Sequence, residues 1–253
     1  MGSTAIILAA GKGTRMYADL PKVLHEVCGR PMLAYVIDAC RAAGCRKLLV
    51  VIGHRADLVR RTFAGDGADL VWVEQTEQLG TGHAVMVCGE HLRGLSGPVL
   101  VVAGDGPLIR PETLRQLLAC HAEKGADCTL ATCILPEPGR YGRIIRDKAG
   151  ELEGIVEFLD ADQRQRQIRE VNVSLYCFDA VALSGVLGKL DNNNAKGEYY
   201  LTDAISLLKA GGAKLAAVAA VSPDDILSVN SPEELNEVNR IMAARLAAAG
   251  ARK

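Results

Sequence analysis

Residues 4–16 read TAIILAAGKGTRM, and this stretch decides the fold. Its first seven residues, 4–10, are a continuous apolar run that ends at Gly11, which is the pattern of a strand buried on both faces. Two later runs, RKLLVVI at residues 46–52 and PVLVVA at residues 98–103, repeat the pattern and also end at a glycine. The sequence therefore predicts a central sheet of buried strands.

Helical segments separate these strands. Residues 31–43 have helical spacing of apolar side chains, a proline in the first turn and Gly44 directly after the last. The remaining predicted elements are helix 56–63, strand 70–74, helix 81–92, helix 111–123, strands 127–135, 143–146, 155–157 and 171–178, helix 200–210, strand 214–221 and helix 233–249. This alternation predicts an α/β fold with a doubly wound, mostly parallel sheet and a smaller, turn-rich subregion, all within one domain over residues 1–253.

Composition excludes several classes of function. The 253 residues carry a net charge of −1 and no basic stripe, so neither nucleic-acid nor membrane-surface binding is expected. No apolar segment approaches the roughly 20 residues needed to span a bilayer, and no cleavable leader is visible, so we expect a cytoplasmic protein. The eight cysteines form no C-x-x-C pair and are interpreted as reduced thiols. The oligomeric state stays open.

The loop after the first strand has the composition of a phosphate-binding loop. Gly11 and Gly13 allow backbone amides to approach phosphate oxygens, and Arg15 and Lys22 add positive charge. A Walker A loop would need Lys-Ser/Thr after its second glycine, and a dinucleotide-binding loop would need a glycine at Met16. The loop alone leaves two interpretations open, a phosphate site or a tight turn with solvated cations.

Longer motifs resemble those of a known family. The stretch LAAGKGTRM followed by PKVLH is similar to the signature of sugar-nucleotide pyrophosphorylases. Gln75 and the stretch QLGTGHA at 78–84 narrow the resemblance to uridyltransferases that act on N-acetylglucosamine 1-phosphate. The resemblance continues through GD at 104–105, PL at 107–108, YGRI at 141–144, GIVE at 154–157, NNN at 192–194, GEYY at 197–200 and VN at 229–230.

The resemblance implies a Rossmann-like nucleotidyltransferase fold and a role for each matching residue. Gln75 and the Gly80 backbone would read uracil, and Asp105 and Asn230 would hold Mg²⁺ against the α-phosphate. Arg15 would stabilise the leaving pyrophosphate and Lys22 would neutralise charge around the α-phosphate. The other implied substrate-binding residues are Leu8, Ala9, Ala10, Gly11, Gly13, Thr81, Ala103, Gly104, Gly142, Glu157, Asn172, Tyr200 and Thr202. The last five of these would surround the sugar in the smaller subregion.

The implied reaction joins UTP to N-acetylglucosamine 1-phosphate and yields UDP-N-acetylglucosamine, a precursor of peptidoglycan and polysaccharides, and pyrophosphate. The same chemistry on another sugar 1-phosphate or nucleoside triphosphate is an alternative. A non-catalytic sugar-nucleotide-binding regulator is another, although it would be expected to lack Asp105, Arg15 or Lys22. A dehydrogenase is excluded by Met16 and by the missing acidic residue at the end of the second strand.

The sequence departs from the family pattern at positions that bear on the sugar. Val173-Ser174 stands where the family usually has Thr-Gly, Phe158-Leu159 where a basic residue is common, and Ala103 where a tyrosine is frequent. Many relatives also carry a C-terminal hexapeptide-repeat acetyltransferase domain. No such repeat occurs in this sequence, so no acetyl-CoA activity is expected from it.

Overall fold

A nine-stranded β-sheet forms the centre of the protein in a computed structural model that describes residues 2–16 and 19–251. Its strands are β1 (Ser3–Leu8), β4 (Cys45–Ile52), β5 (Leu70–Glu74), β6 (Pro98–Ala103), β7 (Cys128–Ile134), β8 (Arg143–Arg146), β9 (Leu152–Val156), β10 (Glu170–Asp179) and β11 (Leu215–Val218). Two short strands, β2 (Glu26–Val27) and β3 (Arg30–Pro31), form a separate hairpin.

The sheet is mostly parallel, as predicted. Its order is β11-β7-β10-β6-β1-β4-β5, and β8 and β9 extend it beside β10 as the smaller subregion. Within the main path only β10 runs antiparallel to its neighbours. In the centre, Leu8 of β1 lies opposite Ala103 of β6 and Val51 of β4. The carboxyl ends of these three strands therefore meet at one edge, where ligands of open α/β sheets bind.

Helices cover both faces of the sheet. They are α1 (Met32–Ala42), α2 (Ala56–Thr62), α3 (Thr81–Met86), α4 (Gly89–Leu92), α5 (Pro111–Lys124), α6 (Ala180–Leu187), α7 (Asp203–Ala210) and α8 (Pro232–Gly250). Ile6 and Ile7 of β1 are both fully buried, but Ile7 packs into a core with α1, α5 and α8, and Ile6 into a core with α3, α6 and α7. None of the helices described is long and apolar enough to cross a membrane.

Three differences from the predicted elements are informative. The first strand ends at Leu8, so Ala9 and Ala10 belong to the following loop. The helix predicted over residues 81–92 is divided into α3 and α4, and the second part begins at Gly89, a residue of low helix propensity. Helix α6 was not predicted, although the Asp179 side chain caps it by accepting from Val181 N at 2.9 Å.

Candidate active site

An open cleft of about 380 Å³ lies at the carboxyl edge of the central strands. The loop after β1 and the loop after β6 meet there, joined by the Gly104 amide, which donates to Leu8 O at 2.9 Å. A β-carbon on Gly104 would lie 2.9 Å from that same oxygen, so only glycine allows this approach. The two loops that carry the predicted phosphate and metal residues are thus held against each other by backbone contacts.

The cleft brings together most of the residues predicted to contact the nucleotide. Those that line it are Leu8, Ala9, Ala10, Gly11, Lys22, Gln75, Gly80, Thr81, Ala103, Asp105 and Asn230. Gly13 and Gly104 do not line the cleft, but Gly13 packs against Lys22 and Gly104 against Leu8, which do. Arg15 does not line the cleft, and its side chain is exposed on the 3-10 turn Thr14–Met16.

Lys22 forms the electrostatic centre of the cleft. Its ammonium donates to the carboxylate of Asp105 and to Asn230 Oδ1, the latter at 2.9 Å. Only 13% of the Lys22 side chain and 18% of the Asp105 side chain are exposed, so solvent screens this contact incompletely. Gly13 adopts a φ of +64°, and a β-carbon there would lie 2.8 Å from Lys22 Cβ. The glycine loop therefore packs directly on the lysine.

Asn230 reaches the cleft on the segment that precedes α8. The Val229 amide donates to Asp105 O at 3.0 Å, which fastens this segment to the loop after β6. The backbone N–H of Asn230 donates to Glu234 Oε2 at 2.6 Å, and the Ser231 side chain caps α8 by accepting from Glu234 N. A capping arrangement at the start of α8 thus fixes the backbone of Asn230.

The donor set at this point fits a magnesium ion bound together with a nucleotide. Asp105 and Asn230 present one carboxylate and one amide oxygen to the same cation, the Lys22 ammonium. Mg²⁺ usually takes one or two protein oxygens and completes its shell with phosphate oxygens and water. The described residues include no cluster of three or more His, Cys, Asp or Glu that could hold a metal, so the nucleotide would be expected to supply part of the coordination shell.

Gln75 lies at the other side of the cleft and is nearly buried, with 3% of the residue exposed. Its Nε2 donates to Gly80 O at 3.2 Å and lies 3.1 Å from His83 Nδ1. Gly80 has a φ of +110°, and a β-carbon there would lie 2.5 Å from Tyr199 O. The tight approach of Gly80 to Tyr199 fixes the loop whose carbonyl orients the Gln75 amide.

A second cluster contains the residues predicted to surround the sugar. Thr202 Oγ1 donates to Glu157 Oε1 at 3.2 Å, and the backbone N–H of Asn172 donates to Gly142 O at 2.9 Å. The two hydrogen-bonded pairs are neighbours, because a β-carbon on Gly142 would lie 3.5 Å from Glu157 Oε1. Burial raises the pKa of the Glu157 carboxyl above its ordinary 4.5 and outweighs the opposing hydrogen bond from Thr202.

Tyr200 belongs to the same region. Its hydroxyl is buried and has no hydrogen-bond partner among residues 2–16 and 19–251. Burial, with the nearby charges of Asp160 and Glu157, raises the pKa of Tyr200 to about 12. A buried hydroxyl without a partner is unfavourable, so a ligand that supplies one would be stabilised here.

Four polar residues in the cleft lining were not predicted as site residues: Ser174, Gln78, Glu198 and Ser228. Gln78 and Glu198 occur in motifs that carry the family resemblance, so their position was a usable signal. Ser174 follows Asn172 by two residues, but no local pattern predicts that its backbone would turn it into the cleft.

Comparison with known proteins shows the family to which the chain belongs. The sequence profile of the MobA-like NTP transferase domain matches residues 5–170, a span that begins within β1 and contains β6 and the loops after both strands. The chain belongs to the family of MobA-like NTP transferase domains. It is therefore a nucleotidyltransferase, and the resemblance found in the motifs is confirmed at the level of the family.

Two curated relatives match almost the whole of this NTP transferase domain. The chain is 47% identical over 242 residues to the bifunctional protein GlmU of Alkaliphilus metalliredigens (strain QYMF) and 46% identical to that of Geobacillus thermodenitrificans (strain NG80-2). Each match covers 96% of this chain and 52% of the relative. The chain spans about half the length of the curated relatives it matches.

A solved structure supports the fold independently. The crystal structure of UDP-glucose pyrophosphorylase complexed with UDP-glucose superposes with a TM-score of 0.78 at 19% sequence identity, covering 97% of this chain and 100% of that chain. At this identity the likeness concerns the fold alone. It confirms the doubly wound α/β fold predicted from the strand and helix pattern and the Rossmann-like nucleotidyltransferase fold that the resemblance implied.

Proposed function

We propose that this domain transfers a uridylyl group from UTP to N-acetylglucosamine 1-phosphate, giving UDP-N-acetylglucosamine and pyrophosphate. The observation that carries the proposal is the meeting of Lys22, Asp105 and Asn230 in one cleft, opposite the buried amide of Gln75. The relatives named GlmU and the family motifs support the choice of uridine and N-acetylglucosamine.

Different parts of the cleft would bind the base, the phosphates and the sugar. The Gln75 side chain, with its nitrogen directed at Gly80 O, leaves its oxygen to accept from N3–H of uracil, which cytosine lacks. The backbone of Ala10, Gly11 and Gly13 would bind the phosphates, which lie next to Lys22. The sugar would lie against Asn172 and Glu157, whose carboxylate accepts from a hydroxyl.

The chemical step needs positioning and charge neutralisation more than proton transfer. A phosphate oxygen of the sugar 1-phosphate, already anionic at pH 7, attacks the α-phosphorus of UTP in line. A new P–O bond forms, the bond between the α-phosphorus and the bridging oxygen breaks, and pyrophosphate leaves. The sugar C1–O bond is not broken, so the anomeric configuration is retained. No general base is required.

The cationic groups of the chain would act on the developing charge. Lys22 would exchange its contact with Asp105 for an oxygen of the α-phosphate, where it offsets charge in the transition state. Arg15, exposed on the glycine loop, would reach the leaving pyrophosphate. Asp105 and Asn230 would hold Mg²⁺, which when bound supplies Lewis acidity to the phosphate oxygens.

The test is a panel of UTP, CTP, GTP and ATP against several sugar 1-phosphates, with Mg²⁺, measuring pyrophosphate release. The proposal predicts release with UTP and N-acetylglucosamine 1-phosphate and turnover reduced by a factor of about 10²–10³ in Asp105→Asn, whose melting temperature stays close to the original. Exclusive activity with another nucleotide would contradict the base assignment. Exclusive activity with another sugar phosphate would contradict the sugar assignment, and absence of all release would contradict catalysis.

A further inference from the structure

Ser174 adopts a backbone conformation that is unusual for its residue type. Its φ is +54°, in the left-handed region that residues with a β-carbon rarely enter. Among the residues described, only Cys28 and Arg55 are other non-glycine residues with a positive φ, and both lie outside the main sheet, in the β2–β3 hairpin and before α2. Ser174 is the one that lies inside a strand of the sheet.

A bulge in β10 produces this conformation. Residues Glu170–Asn172 pair with β7, and the register shifts before pairing resumes at Tyr176. Bulges of this kind often place a left-handed glycine in the strand and redirect the neighbouring side chains. A glycine at this position, as in the family that the sequence resembles, would form the bulge without strain. The serine keeps the bulge and adds a hydroxyl group.

The bulge brings Ser174 into the nucleotide cleft. Ser174 is exposed and lines the cleft together with Ala103, Asp105 and Asn230. Its backbone amide donates to Asn172 Oδ1 at 3.1 Å, which holds it beside the sugar cluster. Ser174 therefore shares the cleft with the oxygens that would hold the metal and is hydrogen-bonded to the asparagine that would contact the sugar.

The neighbouring polar groups are already ordered. Asn172 Nδ2 donates to the Tyr176 hydroxyl at 2.7 Å, and both side chains are buried. Burial raises the pKa of Tyr176, whereas hydrogen bonding with Asn172 and Ser174 opposes this rise. Ser174 thus lines the cleft and its side chain interacts with the buried, fixed phenol of Tyr176.

We propose that Ser174 is a binding residue for the sugar 1-phosphate, its hydroxyl donating a hydrogen bond to an oxygen of that substrate next to Asn172. This inference rests on the proposed function and adds a contact that a glycine at this position cannot make. It assigns a physical effect to one of the departures from the family pattern. Serine at this φ has a strained backbone, but it provides a polar contact that glycine lacks.

Two variants separate the hydroxyl from the backbone. Ser174→Ala removes the oxygen and keeps the strain, and Ser174→Gly removes the oxygen and relieves the strain. Both should raise KM for N-acetylglucosamine 1-phosphate by about three- to tenfold, the range of a single hydrogen bond, with KM for UTP changed less than about twofold. Only Ser174→Gly should raise the melting temperature. The matched control, Cys28→Gly, relieves the same strain in an exposed hairpin and should leave both KM values unchanged.

Unchanged KM values for the sugar phosphate in both variants, with a shift in melting temperature in Ser174→Gly alone, would overturn the inference and leave the proposed function standing. A rise confined to KM for UTP would overturn it as well.

Calorimetric binding of UDP-N-acetylglucosamine gives an independent readout. If the original protein binds this product but turns nothing over, the proposed function fails, and weaker binding in both variants would still support the contact. Equal binding in all three proteins would contradict it.

Discussion

The ammonium group of Lys22 lies between the carboxylate of Asp105 and the amide oxygen of Asn230, residues that are 83 and 208 positions away in sequence. The same two oxygens are the proposed magnesium ligands. Lys22 and the proposed metal would therefore compete for the same oxygens. Under the proposed function, Lys22 would exchange these partners for phosphate oxygens when nucleotide and metal bind.

Replacement of Lys22 should separate its two roles. In Lys22→Gln the competing cation is absent, so Mn²⁺, used as a spectroscopic probe, should bind the nucleotide-free protein about tenfold more tightly, a change of about 1.4 kcal/mol. Turnover should nevertheless fall by a factor of about 10²–10³, because charge at the α-phosphate is no longer offset. Electron paramagnetic resonance titration measures the first effect and pyrophosphate release the second.

Lys124→Gln is a suitable control for this comparison, because Lys124 is an exposed lysine in the last turn of α5. It should change neither quantity. Weaker Mn²⁺ binding in Lys22→Gln than in the original protein would show that the lysine supports the metal site and does not compete for it.

Gln75 should determine the choice of base. In Gln75→Leu the shape of the side chain is largely kept, but uracil loses its acceptor and Gly80 O loses its donor. Because unpaired buried polar groups are unfavourable by about 1–3 kcal/mol, kcat/KM for UTP should fall about 10- to 100-fold, and the preference for UTP over CTP should shrink accordingly. Gln116→Leu, at an exposed position of α5, is the control. A preserved preference for UTP would place base recognition elsewhere.

Gly80 should be intolerant of a side chain. An alanine β-carbon would lie 2.5 Å from Tyr199 O, and the φ of +110° is strained for any residue other than glycine. We expect Gly80→Ala to lower the free energy of unfolding by about 2–4 kcal/mol, which corresponds to a fall in melting temperature of about 5–15 °C.

Gly185 offers the opposite case. It lies in α6, and no atom is within 4 Å of the position that an alanine methyl group would take, so Gly185→Ala should raise stability by about 0.5–1 kcal/mol. Differential scanning fluorimetry of both variants compares the two. Similar melting temperatures for Gly80→Ala and the original protein would mean that the loop carrying Gly80 does not pack on Tyr199 as described.

The raised pKa of Glu157 gives a prediction with a definite sign. Above pH 4.5 the unfolded chain loses the Glu157 proton before the folded protein does, so this residue lowers stability as pH rises from 4.5 through its folded pKa. The difference in unfolding free energy between the original protein and Glu157→Gln should therefore change in favour of the variant over this interval. Chemical denaturation at several pH values measures it, and a difference that is independent of pH would contradict the raised pKa.

Ionisation of Glu157, which lowers stability, should strengthen binding of the sugar phosphate. The ionised carboxylate is the form that accepts from a sugar hydroxyl, so kcat/KM for the sugar phosphate should fall as pH drops through the folded pKa. The profile of Glu157→Gln should lack this step.

The strands and loops that carry the site residues can be predicted from the sequence better than the contacts between those residues. Buried parallel strands read as unbroken apolar runs, so the loops after β1 and β6, which carry Gly11 and Asp105, could be placed from the sequence, although β1 ends two residues earlier than predicted. The contact of Lys22 with Asp105 joins segments far apart in sequence, and no local pattern encodes it. Left-handed serine is rare, so the turn of Ser174 into the cleft could be found only from the β10 register.

The central claim is that the nucleotide's inner phosphate and its metal lie beside Asp105. Crystals grown with UTP and Mn²⁺, examined by anomalous diffraction, test it most directly. We predict one strong anomalous peak at about 2.0–2.3 Å from a carboxylate oxygen of Asp105, with the α-phosphate next to it and Lys22 turned toward that phosphate. A metal and a triphosphate bound at another place on the protein, with Lys22 still paired to Asp105, would contradict it.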